Sequence, residues 1–320
     1  MNKDNCTPTH QSLFYSRNDN NDIRWGDVAF QAELLSLSLK TFNCGIWGYP
    51  DDSGIALNGG RLGAKYAPEF IRRFLYRITS PLNLTKNAIA DFGDWKKENN
   101  QELQIEKIAP ILSEKLHNHP MLTLGGGHDY ASVDGAGFLN WCQGLHPQIR
   151  PLILNFDAHL DVRPWTNGLN SGTSFSWLLE NFKDKFDFIE IGIQKICSSP
   201  HHHQWLKNQN GHILDLDYIK KVGLLRSIKQ MLAGTSLNQP CYISFDIDVF
   251  SQSLAPGCSQ SWDGGLLYNE TLEALKWLFE NKNVRLFGIY EVSPPLDIDQ
   301  QTSKLAASIA DEFLRSKKSN

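Results

Sequence analysis

Short apolar runs alternate with longer stretches of mixed character along most of this chain. CGIWGY (44–49), AIADFG (88–93), PMLTLG (120–125), PLILNFD (151–157), DFIEIGI (187–193), HILDLD (212–217), CYISFDID (241–248) and VRLFGIYEV (284–292) read as strands. Several are apolar nearly throughout, which predicts a parallel sheet covered on both faces. Helical patterns lie between them. APEFIRRFLYRI (67–78) carries Pro68 near its start, where a missing N–H costs little. QELQIEKIAPILSEKLHN (101–118) holds Pro110, which predicts a kink or a division. Residues 269–280 and 302–315 are cleaner amphipathic helices. Strand–helix alternation predicts one α/β sheet wrapped on both sides. With no internal repeat, linker or composition shift, residues 1–320 read as a single domain. About 25 residues at the start and residues 317–320 read as flexible ends.

Composition narrows the classes. Apolar residues are 41% and charged residues 21% of the chain, ordinary for a soluble protein. A net charge of −4 argues against a nucleic-acid partner. No apolar run approaches the roughly 20 residues that cross a bilayer, so no membrane partner is expected. The N-terminus lacks an apolar secretion segment, and the six cysteines show no CxxC spacing. Scattered thiols of this kind suit a reducing cytoplasm.

The chemistry gathers at three strand ends, where open α/β sheets bind ligands. PMLTLG leads into Gly125-Gly126-Gly127-His128-Asp129, PLILNF into Asp157-Ala158-His159-Leu160-Asp161, and CYISF into Asp246-Ile247-Asp248. Asp129 reads as a first-turn residue of the next helix. In an extended segment, residues two apart point the same way. Asp157, His159 and Asp161 therefore converge, and Asp246 with Asp248 faces them from another strand. Each cluster alone has a structural reading: a helix N-cap, a satisfied polar histidine, a tight glycine turn. The three together point to metal. Six N/O ligands without a thiolate suit a hard or borderline divalent ion such as Mn2+. Six are too many for one small ion that keeps a position for water, and two ions bridged by carboxylates use the set. Four aspartates against two divalent ions leave the pocket near neutral. Without metal the carboxylates repel one another and some take up protons.

GGGHD (125–129), DAHLD (157–161) and SFDIDVF (244–250) resemble the three signatures of the arginase/agmatinase superfamily of ureohydrolases. The similarity runs from about residue 44 to 310. The resemblance implies a three-layer α/β/α fold with a mostly parallel central sheet, a binuclear manganese centre and a homo-oligomer. It also implies the ligand sets: His128, Asp157, Asp161 and Asp246 on one ion, and Asp157, His159, Asp246 and Asp248 on the other. Arginases and agmatinases have a His-Gly pair in the loop after the second signature. Here that loop reads Asn170-Ser171-Gly172-Thr173-Ser174-Phe175. Serine at this place, Asp161-Val162-Arg163-Pro164 and Asn58-Gly59-Gly60-Arg61-Leu62-Gly63-Ala64 are similar to the formimidoylglutamase branch. Enzymes of that branch hydrolyse N-formimidoyl-L-glutamate to glutamate and formamide.

From this resemblance Glu291, at the end of VRLFGIYEV, is expected to pair with the cationic amidine of a small-molecule substrate. Arg61 and Arg163 are the candidates for its carboxylates. Asn58 and Ser171 are candidate hydrogen-bonding partners, and Asp161 or Thr173 a proton relay. Structural readings stand beside each: loop anchoring for the arginines, a turn role for Asn58. His201-His202-His203 reads as a solvated loop, and Trp165 and Trp262 as loop aromatics that shape the pocket or simply pack. The rival activities are guanidino hydrolysis releasing urea and single-zinc deacetylation. The latter leaves His128, Asp161 and Asp248 unexplained.

Overall fold

The computed structural model describes residues 5–34, 42–81, 84, 87–145 and 150–317. Among the described residues ten strands form one sheet: β1 (Cys6–Thr7), β2 (Ala29–Gln31), β3 (Cys44–Gly48), β4 (Ile89–Trp95), β5 (Met121–Leu124), β6 (Leu152–Phe156), β7 (Asp187–Ile193), β8 (His212–Asp215), β9 (Pro240–Asp246) and β10 (Asn283–Tyr290). Their order is β1-β4-β3-β5-β10-β9-β6-β7-β8, with β2 also on β4. Every pairing is parallel except the β1–β4 pairing.

Consecutive residues of one strand enter different cores. Leu152, Leu154 and Phe156 join one cluster with Ile71, Leu275 and Phe313. Ile153 joins the other with Ile108, Phe138 and Leu178. Helices Ala67–Leu75, Tyr268–Asn281 and Gln301–Ser316 therefore cover one face, and Gln101–Asn118, Tyr130–Leu145 and Ser174–Asn181 the other. That is the α/β/α layering the sequence pattern predicts.

Three local expectations are corrected. Pro110 does not divide its helix, which runs unbroken over Gln101–Asn118. Pro110 and Glu106, whose carbonyl loses its partner, both lie on the exposed face, where water can serve that carbonyl. The strand at 212 stops at Asp215, whose carboxylate accepts from Tyr218 N (2.8 Å) and caps the helix Leu216–Val222. Residues 5–25 do not trail free: Cys6–Thr7 pairs with β4, Thr9 is buried against Asp91, and Trp25 Nε1 donates to Asp311 (2.6 Å). Residues 1–4 and 318–320 lie outside the described residues.

The topology positions the site. β9 and β10 are last in the chain but sit between β5 and β6. The helix after β5 packs on the face opposite the helices that follow β9 and β10, and such a reversal leaves a crevice at the strands' carboxyl ends.

Candidate metal centre

β5, β6, β9 and β10 each deliver part of the site at their carboxyl ends. After β5 the glycine turn folds back on the loop following β3. A Cβ on Gly126 would lie 1.8 Å from Asp51 O, so only glycine fits that approach. The turn is tied to β10 in both directions. Glu291 N donates to Gly126 O (2.9 Å), and Glu291 Oε1 accepts from His128 N (2.9 Å).

β6 and β9 end alike. Extended backbone was expected to run on through Asp161 and Asp248, but it stops at Phe156 and Asp246. Asp157 Oδ1 accepts from His159 N (2.7 Å), and Asp246 Oδ1 from Asp248 N (2.8 Å). Each aspartate thus curls its own chain in an Asx turn. Convergence comes from these turns and not from strand alternation. Asp161 (φ 45°) and Glu291 (φ 65°) both take left-handed backbone, sparsely populated for such residues.

The six residues meet. His128 Nδ1 lies 3.1 Å from Asp157 Oδ2, 2.9 Å from Asp161 Oδ2 and 3.2 Å from Asp246 Oδ2. His159 Nδ1 lies 3.4 Å from Asp157 Oδ1 and 3.2 Å from Asp248 Oδ2. Two three-residue groups result, His128–Asp157–Asp246 and Asp157–His159–Asp248, sharing Asp157. His128 Nε2 is hydrogen-bonded to Ser244 Oγ (2.8 Å), which fixes the ring. Its Nδ1 is buried and has no well-directed hydrogen bond despite three carboxylates around it. An imidazole held so, with one nitrogen bonded outward and the other facing carboxylates, fits a cation ligand. The oxygen and nitrogen donors suit Mn2+.

The electrostatics describe a cluster short of positive charge. Burial opposes charging of the His128 ring, yet Asp157, Asp161 and Asp246 push its pKa well above the usual range. Burial and Asp157 raise Asp161 to about 6. Burial, then Asp248 and Asp157, hold Asp246 well up, and burial raises Glu291 despite the bond from His128 N.

Above the cluster opens a cleft of about 270 Å³, bordered by His128, His159, Asp161, Asp246, Asp248 and Glu291. Asn58, Ser171 and Arg163 also border it as one linked group. Asn58 Nδ2 donates to Ser171 Oγ (3.1 Å) and Arg163 Nη1 to Asn58 Oδ1 (3.0 Å). Other expected residues lie elsewhere. Arg61 does not line the cleft; Nε and Nη2 donate to the carbonyls of Ser259 and Cys258 (3.0 Å each), anchoring that loop. The Thr173 hydroxyl is committed to the Asn170 turn, donating to Asn170 O (3.0 Å). Trp165 Nε1 bonds Glu180 (2.7 Å) away from the cleft, whereas Trp262 borders it.

The histidine tract is not a loop. Ser199 caps a helix over Pro200–Asn208, and His202 on its first turn borders the cleft. Its pKa is lowered by partial burial and then by Arg163. Sequence reasoning missed His202, Gln260 and the supporting pair Asn155 and Ser244. A signal existed for the last two. Each lies two residues before the first aspartate of its motif, on the same strand face.

Comparison with known proteins is consistent with this geometry. The arginase family model matches residues 42–315. A formimidoylglutamase of Legionella pneumophila (strain Philadelphia 1) is 31% identical over 323 residues, 97% of each chain. The crystal structure of Trypanosoma cruzi formiminoglutamase with Mn2+ superposes with a TM-score of 0.78 at 26% identity, covering 92% of this chain and 98% of that one. The formimidoylglutamase of Bacillus subtilis gives 0.80 at 25% identity, covering 94% of both.

Proposed function

The chain belongs to the arginase family, and from that membership we propose that it hydrolyses N-formimidoyl-L-glutamate to L-glutamate and formamide. The observation that carries this reading is the gathering of two imidazoles and four carboxylates on the floor of a cleft whose mouth holds Arg163, Asn58 and Ser171. His128, Asp157, His159, Asp161, Asp246 and Asp248 would hold two Mn2+ ions. When bound, these supply a water of lowered pKa and balance the carboxylates.

The chain's own residues supply the rest. Asp157, fully buried, is common to both groups and sets their separation. Ser244 holds the His128 ring with Nδ1 facing the carboxylates. Glu291 is anchored by His128 N and presents its negative end to the cationic amidine. Arg163 pairs with a substrate carboxylate, with Asn58 holding the guanidinium at the cleft mouth. Water adds to the amidine carbon, the C–N bond breaks, and the departing amine takes a proton to become glutamate. Asp161, bordering both cluster and cleft, is the chain's candidate carrier of that proton. Ser171 stands where relatives that act on guanidines carry an acid–base histidine. Serine cannot act as an acid or base near neutral pH as imidazole does, so the proton for the departing amine falls to another group of the chain.

The described residues contain no helix long and apolar enough to cross a membrane. Six free cysteines suit a cytoplasmic location. A homo-oligomer completes the reading, and light scattering tests it. The decisive assay is Mn2+-activated release of formamide and glutamate from formimidoylglutamate. Urea release from agmatine or guanidinobutyrate in its place overturns the substrate assignment, and one zinc per active chain overturns the two-ion centre.

A further inference from the structure

Strand register sets Asn155 of β6 opposite Glu190 of β7. Both side chains are fully buried, and neither borders the cleft. Asn155 Nδ2 donates to Glu190 Oε2 (2.8 Å) and to Asp157 Oδ2 (3.3 Å). That nitrogen has only two protons, so one joins the strand pair and the other reaches the residue shared by both ligand groups. The mechanism above does not use Glu190. A carboxyl in the apolar run DFIEIGI, with no basic side chain bonded to it, is costly to bury. Glu190 Oε1 and Asn155 Oδ1 are both left without hydrogen-bond partners, on two side chains already joined. One proton between those oxygens closes a two-bonded acid–amide pair, which fixes the plane of the Asn155 amide. Burial, and then Asp157, favour the protonated form.

We propose that Glu190 is a positioning residue: through Asn155 it locks the orientation of the Asp157 carboxylate, and so the spacing of the two ion sites. This rests on the two-ion reading of the cluster. Networks of this kind orient ligands from outside the coordination sphere, and their loss typically lowers metal affinity about ten- to hundredfold. Asp157 has the most to lose from misorientation, because its two oxygens face different imidazoles.

The test uses the full chain, stripped of metal and titrated with Mn2+ by calorimetry, with the spin-coupled Mn2+ signal followed by electron paramagnetic resonance. Glu190→Gln supplies an uncharged N–H where the proton sits, and is expected to keep wild-type affinity within about threefold and to keep the coupled signal. Glu190→Met, which fills the volume without the hydrogen bonds, is expected to lose about ten- to hundredfold in affinity and to weaken coupling. Asn155→Ala should do the same, and the double variant should be no worse than Asn155→Ala alone. Asn155→Ala carries the test if the Met variant does not fold. Wild-type affinity in Glu190→Met, or an equal loss in Glu190→Gln, overturns the proposal. A wild-type chain that takes up no Mn2+ overturns the two-ion reading, and with it this inference. Two ions bound with the same affinity in wild type and in every variant overturn the inference alone.

Discussion

Two clusters of buried charge among the described residues are built differently. Under the β4 end of the sheet, Arg72 is matched bond for bond. Nε and Nη2 donate to the two oxygens of Asp91 (2.9 and 3.1 Å), Nη1 to Asp94 (2.6 Å) and Nη2 to Gly93 O (3.1 Å). Asp91 also accepts from Thr9, Gly93 N and Tyr76. Burial works against the guanidinium, but Asp91 and Asp94 hold its pKa above the usual value. At the seam between β5 and β6, four aspartates and Glu291 gather with two imidazoles and no permanent cation. A cluster whose carboxylates are already bonded to a resident guanidinium is a structural clamp, whereas one that gathers carboxylates without such a cation is a site for ions.

Experiments that separate the two rank by size. Asp157→Ala should abolish turnover and Mn2+ uptake together, since it empties the position common to both groups; an active metal-free variant would break the comparison. Arg72→Leu should destabilise the fold by about 3–5 kcal/mol, the usual result of stranding a buried carboxylate, as read by urea unfolding. It should leave Mn2+ stoichiometry at two per folded chain. Free Mn2+ at a hundred times its dissociation constant should stabilise wild type and the Arg72 variant alike by about 2.7 kcal/mol for each bound ion, and leave Asp157→Ala unmoved. Glu291→Gln should keep both ions yet lower kcat/KM about thirtyfold, the ~2 kcal/mol low end for one half of a buried charged pair. Loss of metal in that variant would move Glu291 from substrate binding to ligation.

The smallest effect concerns Asp134, buried behind the site, where it accepts from Tyr49 (2.6 Å), Thr123 (2.5 Å) and Tyr290 (2.5 Å). Burial outweighs those donors and raises it from 3.8 to about 6. Because the folded value lies above the unfolded one, the unfolded chain gives up this proton first. The contribution to stability is full below about pH 4 and fades as pH rises through 6. Asp134→Asn should flatten the stability profile across that window, and an unchanged slope would place the titration elsewhere.

Local chemistry made much of this readable in advance. Apolar runs of strand length announced the sheet, and imidazoles and carboxylates at the ends of three such runs marked the crevice. Asp157, Asp246 and the glycine turn could be singled out because residue type and short spacing carry the information. The helix Tyr130–Leu145 was expected after Asp129 but without bounds, because it is buried nearly all round and shows no clear polar stripe to mark its period. For Arg61 and Thr173 the sequence left the alternatives open, for another reason. A guanidinium or hydroxyl in a loop has no preference of its own between substrate and a neighbouring carbonyl.

Sequence alone therefore determined which residue types stand at which strand ends, and with them the donor set and its demand for cations. These follow from side-chain identity and spacings of two to four residues. Only the tertiary structure decided that β9 and β10 are inserted between β5 and β6. That insertion turns four distant segments into one centre, sets Asn155 against Glu190, and brings His202 to the cleft. The reason is physical: local pattern fixes what a segment offers, but strand order and register are settled by burying both faces of the whole sheet at once.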